Sequence, residues 1–321
     1  MRVAIMTDET GWHTRQLQAA LRQRGAQGRC VDLADCHIDT TAAWHGLQIP
    51  GFGRGLPDAV LVRGIAGGSF EQVTRRLGVL HALRELGVPV YNDARAIERS
   101  VDKSMTSLLL HAAGVSAPPT WALEDVALAR RIVLRETAAG HALVLKPLFG
   151  SQGKGLVLIG DPARHGPQAR PALPPLDSGY GRLAYLQRFI PPQAEPGHDW
   201  RVMVVGGRAI AAMRRISAHW VHNVAQGARC EAAALTPALA RLAERAAAAL
   251  QMDYAGVDIM PGPAGAAGGT DALQVLEVNG VAAWQGLQRV TPFPIARALV
   301  DDLLDRRCAG LATAGPVPRC A

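Results

Sequence analysis

Three groups of residues in this 321-residue chain have the types and spacing to do chemistry. The first is the run KPLFGSQGKG, Lys146 to Gly155. Gly150, Gly153 and Gly155, with Ser151, give a backbone whose N–H groups can turn toward phosphate oxygens. Lys146 and Lys154 add positive charge. The run is not GxxxxGK[ST], because no Lys-Ser/Thr pair follows its glycines. Nor is it a dinucleotide fingerprint, because a strand and not a helix follows. Taken alone, a ligand-free hairpin explains it equally well. The second group is Asp258 in YAGVDIMP with Glu277 and Asn279 in LQVLEVN. Strand alternation puts Glu277 and Asn279 on one face, and Asp258 joins them if the two strands are neighbours. Hard oxygen donors of this kind suit Mg²⁺ held beside nucleotide phosphates. The alternative is a hydrogen-bonded acidic pair at a strand edge, but burying carboxylates without a cation is costly. The third group is Arg201, Arg214 and Arg215, which can grip phosphate or carboxylate through two parallel N–H bonds. Surface arginines are common, so no single one is decisive. The ten histidines show no HExxH or HxH spacing; His222-Asn223 is notable only for following the arginine strand.

These residues need elements to position them. RVAIM (Arg2–Met6), CVDL (Cys30–Leu33), AVLVR (Ala59–Arg63) and VPVYN (Val88–Asn92) read as strands. Helical spacing over Thr14–Arg24 and Phe70–Leu86 separates them, which predicts an open α/β layer of about one hundred residues. A helix is predicted over Ser100–Ala113, beginning at Asp102-Lys103, and another from about Leu123 to Ala139. HALVLKP and GLVLI flank the glycine-rich run and predict a hairpin-like flap. Residues 161–180, rich in Pro and Gly, predict a loop. VMVVGG and RAIAAM, split by Gly206-Gly207, predict an antiparallel hairpin. Thr236-Pro237 predicts a helix start. A turn is predicted over GPAGAAGGTD, then a last helix over about Pro294–Arg307 and a frayed tail.

Composition narrows the classes. Hydrophobic residues make up 49% and charged residues 19%, which is ordinary for a soluble globular protein and argues against disorder. No apolar run is long enough to span a bilayer, and the start MRVAIMTDET lacks a signal-like apolar region. Five cysteines without a CxxC pair predict free thiols in a reducing cytoplasm. The net charge of +7 suits anionic small molecules. Without a basic block or an aromatic-rich surface, it argues against a nucleic-acid partner.

Read in order, SVDKSMTSLLLHAAGVSAPPT, VLKPLFGSQGKGLVL, YLQRFI, DWRVMVVGGRAIAAMRR, HNVAQGA, LTPALARLAERAAAALQMDYAGVDIM and LQVLEVN resemble the ATP-grasp superfamily, most closely its RimK-like glutamate ligases. The likeness covers roughly residues 88–290 and rests on seven markers in sequence. It implies a mixed α/β and α+β fold: a Rossmann-like α/β domain over residues 1–96, a central lobe over 97–182, and a C-terminal lobe with the metal site over 183–308. Residues 309–321 are left as a tail. The two lobes would clamp ATP.

The resemblance also implies roles. Lys103 and Lys146 are the lysines that neutralise phosphate charge. Gly150, Ser151, Gly153 and Gly155 form the flap. Gln187, Arg188, Phe189 and Ile190 form the hinge whose backbone reads adenine. Asp199 and Arg201 match an Asp-x-Arg pair, with Arg201 and Arg215 as the catalytic arginines. Asn223 sits on a substrate-side loop, and Asp258, Glu277 and Asn279 are ligands of Mg²⁺ or Mn²⁺. The activity implied is amide formation between a carboxylate and an amine through an acyl-phosphate, adding L-glutamate to a small cofactor of tetrahydromethanopterin type or to a peptide acceptor. A ribosomal-protein or peptide C-terminal ligase is one alternative. A non-catalytic nucleotide-binding protein is another. The partners are small-molecule acids and amino acids, with no membrane, and family likeness implies a homo-oligomer. The chain departs from the family pattern at NGVAAWQGL after the metal strand, at Ala225-Gln226-Gly227-Ala228 in the substrate loop, and at Arg214. These departures leave the acceptor open. Trp220 and Trp284 are candidates to stack on a pterin.

Overall fold

The computed structural model describes residues 1–161, 171–177, 179–262 and 273–309. Four short strands build its first layer: β1 (Arg2–Met6), β2 (Gln27–Val31), β5 (Ala59–Val62) and β6 (Val90–Tyr91); β2 is a mixed, largely polar edge strand that begins and ends earlier than the CVDL run expected for it. All neighbours are parallel, in the order β2-β1-β5-β6. Helix α1 (Trp12–Gln23) follows β1 and α2 (Phe70–Glu85) follows β5. Val3 to Met6 and Ala59 to Val62 are wholly buried, as strands covered on both faces must be, which is why they read as unbroken apolar runs. A small antiparallel pair, β3 (His37–Ile38) and β4 (Leu47–Gln48), lies outside this sheet.

The helix predicted over Ser100–Ala113 is two helices, α3 (Ala94–Val101) and α4 (Lys103–Ala112). Asp102 divides them. Its Oδ1 accepts from the backbone N–H of Ser104 at 2.8 Å and of Met105 at 3.1 Å, so the residue caps a new helix instead of continuing the old one. Lys103 is thereby fixed in the first turn of α4.

A second sheet combines β7 (Thr120–Leu123), β8 (Leu143–Lys146), β9 (Val157–Ile159) and β10 (Ala184–Arg188) in the antiparallel order β7-β10-β8-β9. The helix predicted from Leu123 begins later, as α5 (Val126–Ala138), because Asp125 caps it by accepting from Leu128 N–H at 2.9 Å. The residues ahead of that cap pair as β7. Strand β10 completes this sheet, although its residues fall in the stretch expected for the third lobe.

The third sheet has five strands: β11 (Gly197–Val205), β12 (Arg208–Ser217), β13 (Arg229–Ala233), β14 (Tyr254–Pro261) and β15 (Leu273–Asn279). Their order is β13-β12-β11-β14-β15. Gly206 and Gly207, at φ 58° and 78°, supply the left-handed turn that β11 and β12 require. Helix α6 (Pro237–Ala249), capped by Thr236, packs on this sheet through Leu239, Ala243, Ala246 and Ala247. The last elements are α7 (Gln285–Val290), α8 (Ile295–Asp302) and a wider turn over Leu303–Arg307. One core joins the first and third sheets: Ile5, Leu17 and Leu21 pack with Met203, Tyr254, Trp284 and Leu299. At about 1.5–3 kcal/mol per buried side chain, that shared core fixes the two layers against each other.

Cys30, Cys36, Cys230 and Cys308 are free thiols, as expected. The loop predicted over 161–180 is described only in part. The turn predicted over residues 262–271 lies outside the described residues beyond Gly262, as do Cys320 and residues 310–321 of the tail.

Candidate active site

Between the second and third sheets lies an open cleft of about 880 Å³, solvent at its mouth included. Of the residues singled out in the sequence, Lys103, Lys146, Gly150, Ser151, Gly153, Gln187, Arg188, Phe189, Ile190, Asp199, Arg215, Asn223, Asp258 and Glu277 line it. Arg201, Gly155 and Asn279 are not among the lining residues.

The lysines arrive from different elements. Lys103, opening α4, donates to the carbonyls of Leu148 at 3.2 Å and Gly150 at 2.5 Å, which ties the glycine-rich flap down. Its ammonium is 3.9 Å from Glu277 Oε1. Lys146, ending β8, donates to Gln187 Oε1 at 2.6 Å, and Gln187 Nε2 donates in turn to Thr120 Oγ1 at 3.2 Å. Burial lowers the pKa of both lysines; Glu277 opposes this in each, and Lys146 falls to about 8. Two desolvated ammoniums form a site whose charged state improves when an anion enters.

The flap is already folded over. Gln152, Gly153 and Gly155 take left-handed backbones, at φ 61°, 71° and 70°. Gly153 lies against the loop after β12, where an added Cβ would come within 2.7 Å of Asn223 Oδ1 and Val221 Cγ1. Gln226 Nε2 also donates to the carbonyl of Gln152 at 3.2 Å. Asn223 therefore faces the flap as well as the cleft.

In the hinge, the backbone N–H groups of Arg188 and Phe189 donate to Pro119 and Ala142 carbonyls. Among the described residues, Ile190 is the hinge position whose backbone N–H has no acceptor. The buried side chain of Gln187 also accepts from Lys146 and so orients it.

On the opposite wall, register brings the acidic strands together. Asp258 pairs directly with Glu277 and Gly256 with Asn279, with a bulge between Asp258 and Ile259. Asn279 Nδ2 donates to the Gly256 carbonyl at 3.2 Å, which leaves its Oδ1 as an acceptor. Arg201 grips Asp258 through Nε and Nη2, both at 2.7 Å. Arg215 grips Asp199 in the same way, at 2.7 and 2.5 Å, and its Nη2 lies 3.0 Å from Asp258 Oδ2. Burial opposes charge throughout this lattice. Asp258, between Arg201 and Arg215, nevertheless ionises below the usual carboxylate range. Asp199, held by Arg215, is pushed up to about 6 by burial. Arg215 is raised, because Asp258 and Asp199 outweigh its burial.

The donors fit a hard divalent cation. No group of three or more His, Cys, Asp or Glu side chains among the described residues forms a metal cage. Two carboxylates and an amide are nevertheless enough for an ion that shares its sphere with phosphates and water. A carboxylate offers about four lone-pair sites. The arginines use three on Asp258, so one remains on Oδ1.

Asn92 was missed in the sequence. Fully buried, its Nδ2 donates to the carbonyls of Tyr254 and Gly280, and its Oδ1 accepts from Asp253 and Tyr254 N–H. It pins the start of β14 to the end of β15, so it fixes both acidic strands. Nothing in VPVYN marks this role. Val144, Leu156, Met260 and Leu276 supply the cleft's apolar wall. Period-2 counting from Lys146 and Asp258 reaches Val144 and Met260.

The pterin-stacking expectation is corrected for Trp284, which is 1% exposed and packs edge-on against His13 and Trp12. Trp220 does line the cleft, but edge-on to the hinge residue Phe189 at 5.8 Å.

The RimK-like ATP-grasp domain model matches residues 100–303, and the RimK PreATP-grasp domain model matches residues 1–97. The chain belongs to the RimK-like ATP-grasp family. It is 30% identical to the tetrahydromethanopterin:alpha-L-glutamate ligase of Methanococcus maripaludis, over 95% of this chain and 98% of that protein. It is 31% identical to the enzyme of the same name from Methanosarcina acetivorans, over 88% and 92%. A RimK domain ATP-grasp protein from Sphaerobacter thermophilus shares the fold, with a TM-score of 0.65, 23% identity, and 94% and 99% coverage. So does the ATP-grasp ligase PsnB, solved with a precursor variant, Mg and ADP (TM-score 0.63, 21% identity, 95% and 97% coverage). ATP-grasp membership makes this chain a ligase. No helix among the described residues is long and apolar enough to cross a membrane.

Proposed function

We propose that this protein uses ATP to join a carboxylate to the amine of L-glutamate through an acyl-phosphate, on a small-molecule acceptor of the tetrahydromethanopterin kind. The observation that carries the chemistry is convergence: Lys103, Lys146, Asp258, Glu277 and Arg215 reach one cleft from two sheets, beneath a glycine-rich flap. The near full-length likeness to two tetrahydromethanopterin:alpha-L-glutamate ligases supports the choice of substrates.

Each residue then has a task. Lys103 and Lys146 neutralise the phosphates, and Gln187 aims Lys146. Val144, Met260 and Leu276 flank the base, and the Ile190 N–H donates to its edge. Glu277, Asn279 and the remaining Oδ1 site of Asp258 would hold Mg²⁺, which supplies charge neutralisation at the phosphoryl group undergoing transfer. Arg201 and Arg215 keep Nη1 free of hydrogen bonds to the described residues. These N–H groups orient the acceptor carboxylate and stabilise the oxyanion that forms when the amine attacks. Asp258 and Asp199 hold both guanidiniums rigid. The flap, seated by Lys103 and Asn223, excludes the water that would hydrolyse the acyl-phosphate.

The test is ADP release in the presence of Mg²⁺, with candidate acids crossed against amino acids and products weighed by mass spectrometry. We expect release that needs both tetrahydromethanopterin and L-glutamate, and a product heavier by one glutamyl residue. ADP release indifferent to any acid or amine would overturn the ligase assignment. Release with other pairs only would overturn the choice of substrates.

A further inference from the structure

The first sheet has a topological switch point. From β1 the chain runs through α1 to β2 on one side. From β5 it runs through α2 to β6 on the other. The loops leaving β1 and β5 therefore part, and the crevice between them, at the carboxyl ends of the strands, is where open α/β sheets take ligands. Arg63 is the first residue of the loop after β5.

Its surroundings are unusual for a guanidinium. Nη1 donates to the Val281 carbonyl at 3.3 Å, and the group lies 5.4 Å from the Trp284 ring. Nε is buried and has no hydrogen-bond partner. Nη2 donates to no described residue, and no carboxylate among them pairs with Arg63. Burial lowers its pKa, opposed by Tyr254 and, from the loop after β1, by Asp8 and Glu9, which do not bond to it. Nε and Nη2 form the edge through which a guanidinium takes a carboxylate side-on. Arg201 and Arg215 use that same edge on Asp258 and Asp199.

The loop after β5 adjoins the acidic strands. Val281, which Arg63 contacts, lies two residues beyond Asn279. An added Cβ on Gly256 would lie 2.9 Å from Ala282 Cβ and 3.7 Å from Arg201 Nε. Ala282 and Arg201 thus meet on one face of the strand that carries Asp258. Tyr254, on that strand, donates to the Val62 carbonyl next to Arg63.

We infer that Arg63 is a specificity-determining residue: its Nε/Nη2 edge holds a substrate carboxylate other than the one being activated. This rests on the proposed ligase function. The carboxylate belongs either to the incoming amino acid or to the acceptor. In both cases the contact anchors the molecule from the first layer while its reacting group reaches the cleft.

The test titrates L-glutamate and, separately, tetrahydromethanopterin into protein saturated with Mg²⁺ and a non-hydrolysable ATP analogue. It compares wild type, Arg63→Met and Arg63→Lys. In Arg63→Met we expect one titrant to weaken about 30-fold or more, with affinity for the ATP analogue within about twofold of wild type. Arg63→Lys, which keeps the charge and loses the fork, should recover part of the loss. Weakened L-glutamate assigns the carboxylate to the amino acid, and weakened tetrahydromethanopterin assigns it to the acceptor. Equal binding by wild type and Arg63→Met, no binding of either titrant to wild type, or a parallel loss of the ATP analogue overturns the inference. ADP release measured on the same wild-type protein separates the two readings. Acid- and amine-dependent release with an indifferent Arg63 sinks this inference alone, and its absence sinks the ligase function.

Discussion

On the proposed function, Lys146 gives nucleotide binding a pH dependence whose size follows from the structure. In the free protein, burial lowers its ammonium pKa to about 8. A polyphosphate beside it favours the charged form and raises that value. Below about pH 8 the ammonium is charged with or without nucleotide, and affinity is flat. Above that, binding must take up a proton, so affinity falls as pH rises. Between about pH 7.5 and about pH 9.5 the charged fraction of the free protein drops from roughly three quarters to roughly 3%. The dissociation constant should then rise about 25-fold, or about 1.9 kcal/mol. Lys103 is lowered in the same sense and steepens the fall. The assay is calorimetric titration of a non-hydrolysable ATP analogue with excess Mg²⁺, in buffers of different ionisation heat. At about pH 9, uptake should approach one proton per nucleotide. Lys146→Arg, charged throughout, should bind with a flatter profile. Gln187→Leu removes the 2.6 Å acceptor and should move the break to lower pH. A constant affinity from about pH 7.5 to 9.5 without proton uptake would refute the reasoning.

Further outcomes follow from the opposite wall. Glu277→Gln should lower turnover by about a thousandfold or more, with melting temperature within a few degrees of wild type, because in the proposed mechanism its carboxylate holds the cation and is not part of the core. Asp258→Asn should cost about 3–5 kcal/mol in urea unfolding, since it strips the charge from between two buried guanidiniums. Asp199→Asn should cost less, because Arg215 keeps Asp258. Asp258 also contributes stability that is present above its unfolded pKa and is lost as pH falls through its depressed folded value; Asp258→Asn should reduce acid sensitivity below about pH 4. Gly153→Ala forces a side chain at φ 71° into Asn223 and Val221. It should keep the flap from seating, so that the rate of product formation falls about tenfold or more and ADP release loses its coupling to product. Asn92→Ala removes four buried hydrogen bonds and should lower unfolding free energy by more than about 3 kcal/mol.

Much of the architecture was legible because local rules and tertiary structure agree. Strand and helix alternation announced an open α/β layer, with β1 and β5 as its unbroken apolar strands, and Gly206-Gly207 announced a turn that only left-handed backbones make. Where a short polar side chain took over the backbone, the reading slipped. Asp102 split a helix that hydrophobic spacing had made continuous, and Asp125 moved a helix start past β7.

By itself the sequence determined which residues carry charge and oxygen, that Glu277 and Asn279 share a face, and which family the whole resembles. These depend on side-chain type and strand period, which are local. Tertiary structure alone decided the pairings. The register sets Asp258 opposite Glu277, two arginines close on two aspartates, Asn92 fastens the acidic strands, Trp284 is sealed into the core shared by the first and third sheets, and Arg63 keeps an edge that no described carboxylate takes up. Each joins residues distant in the chain, and no spacing rule reaches that far.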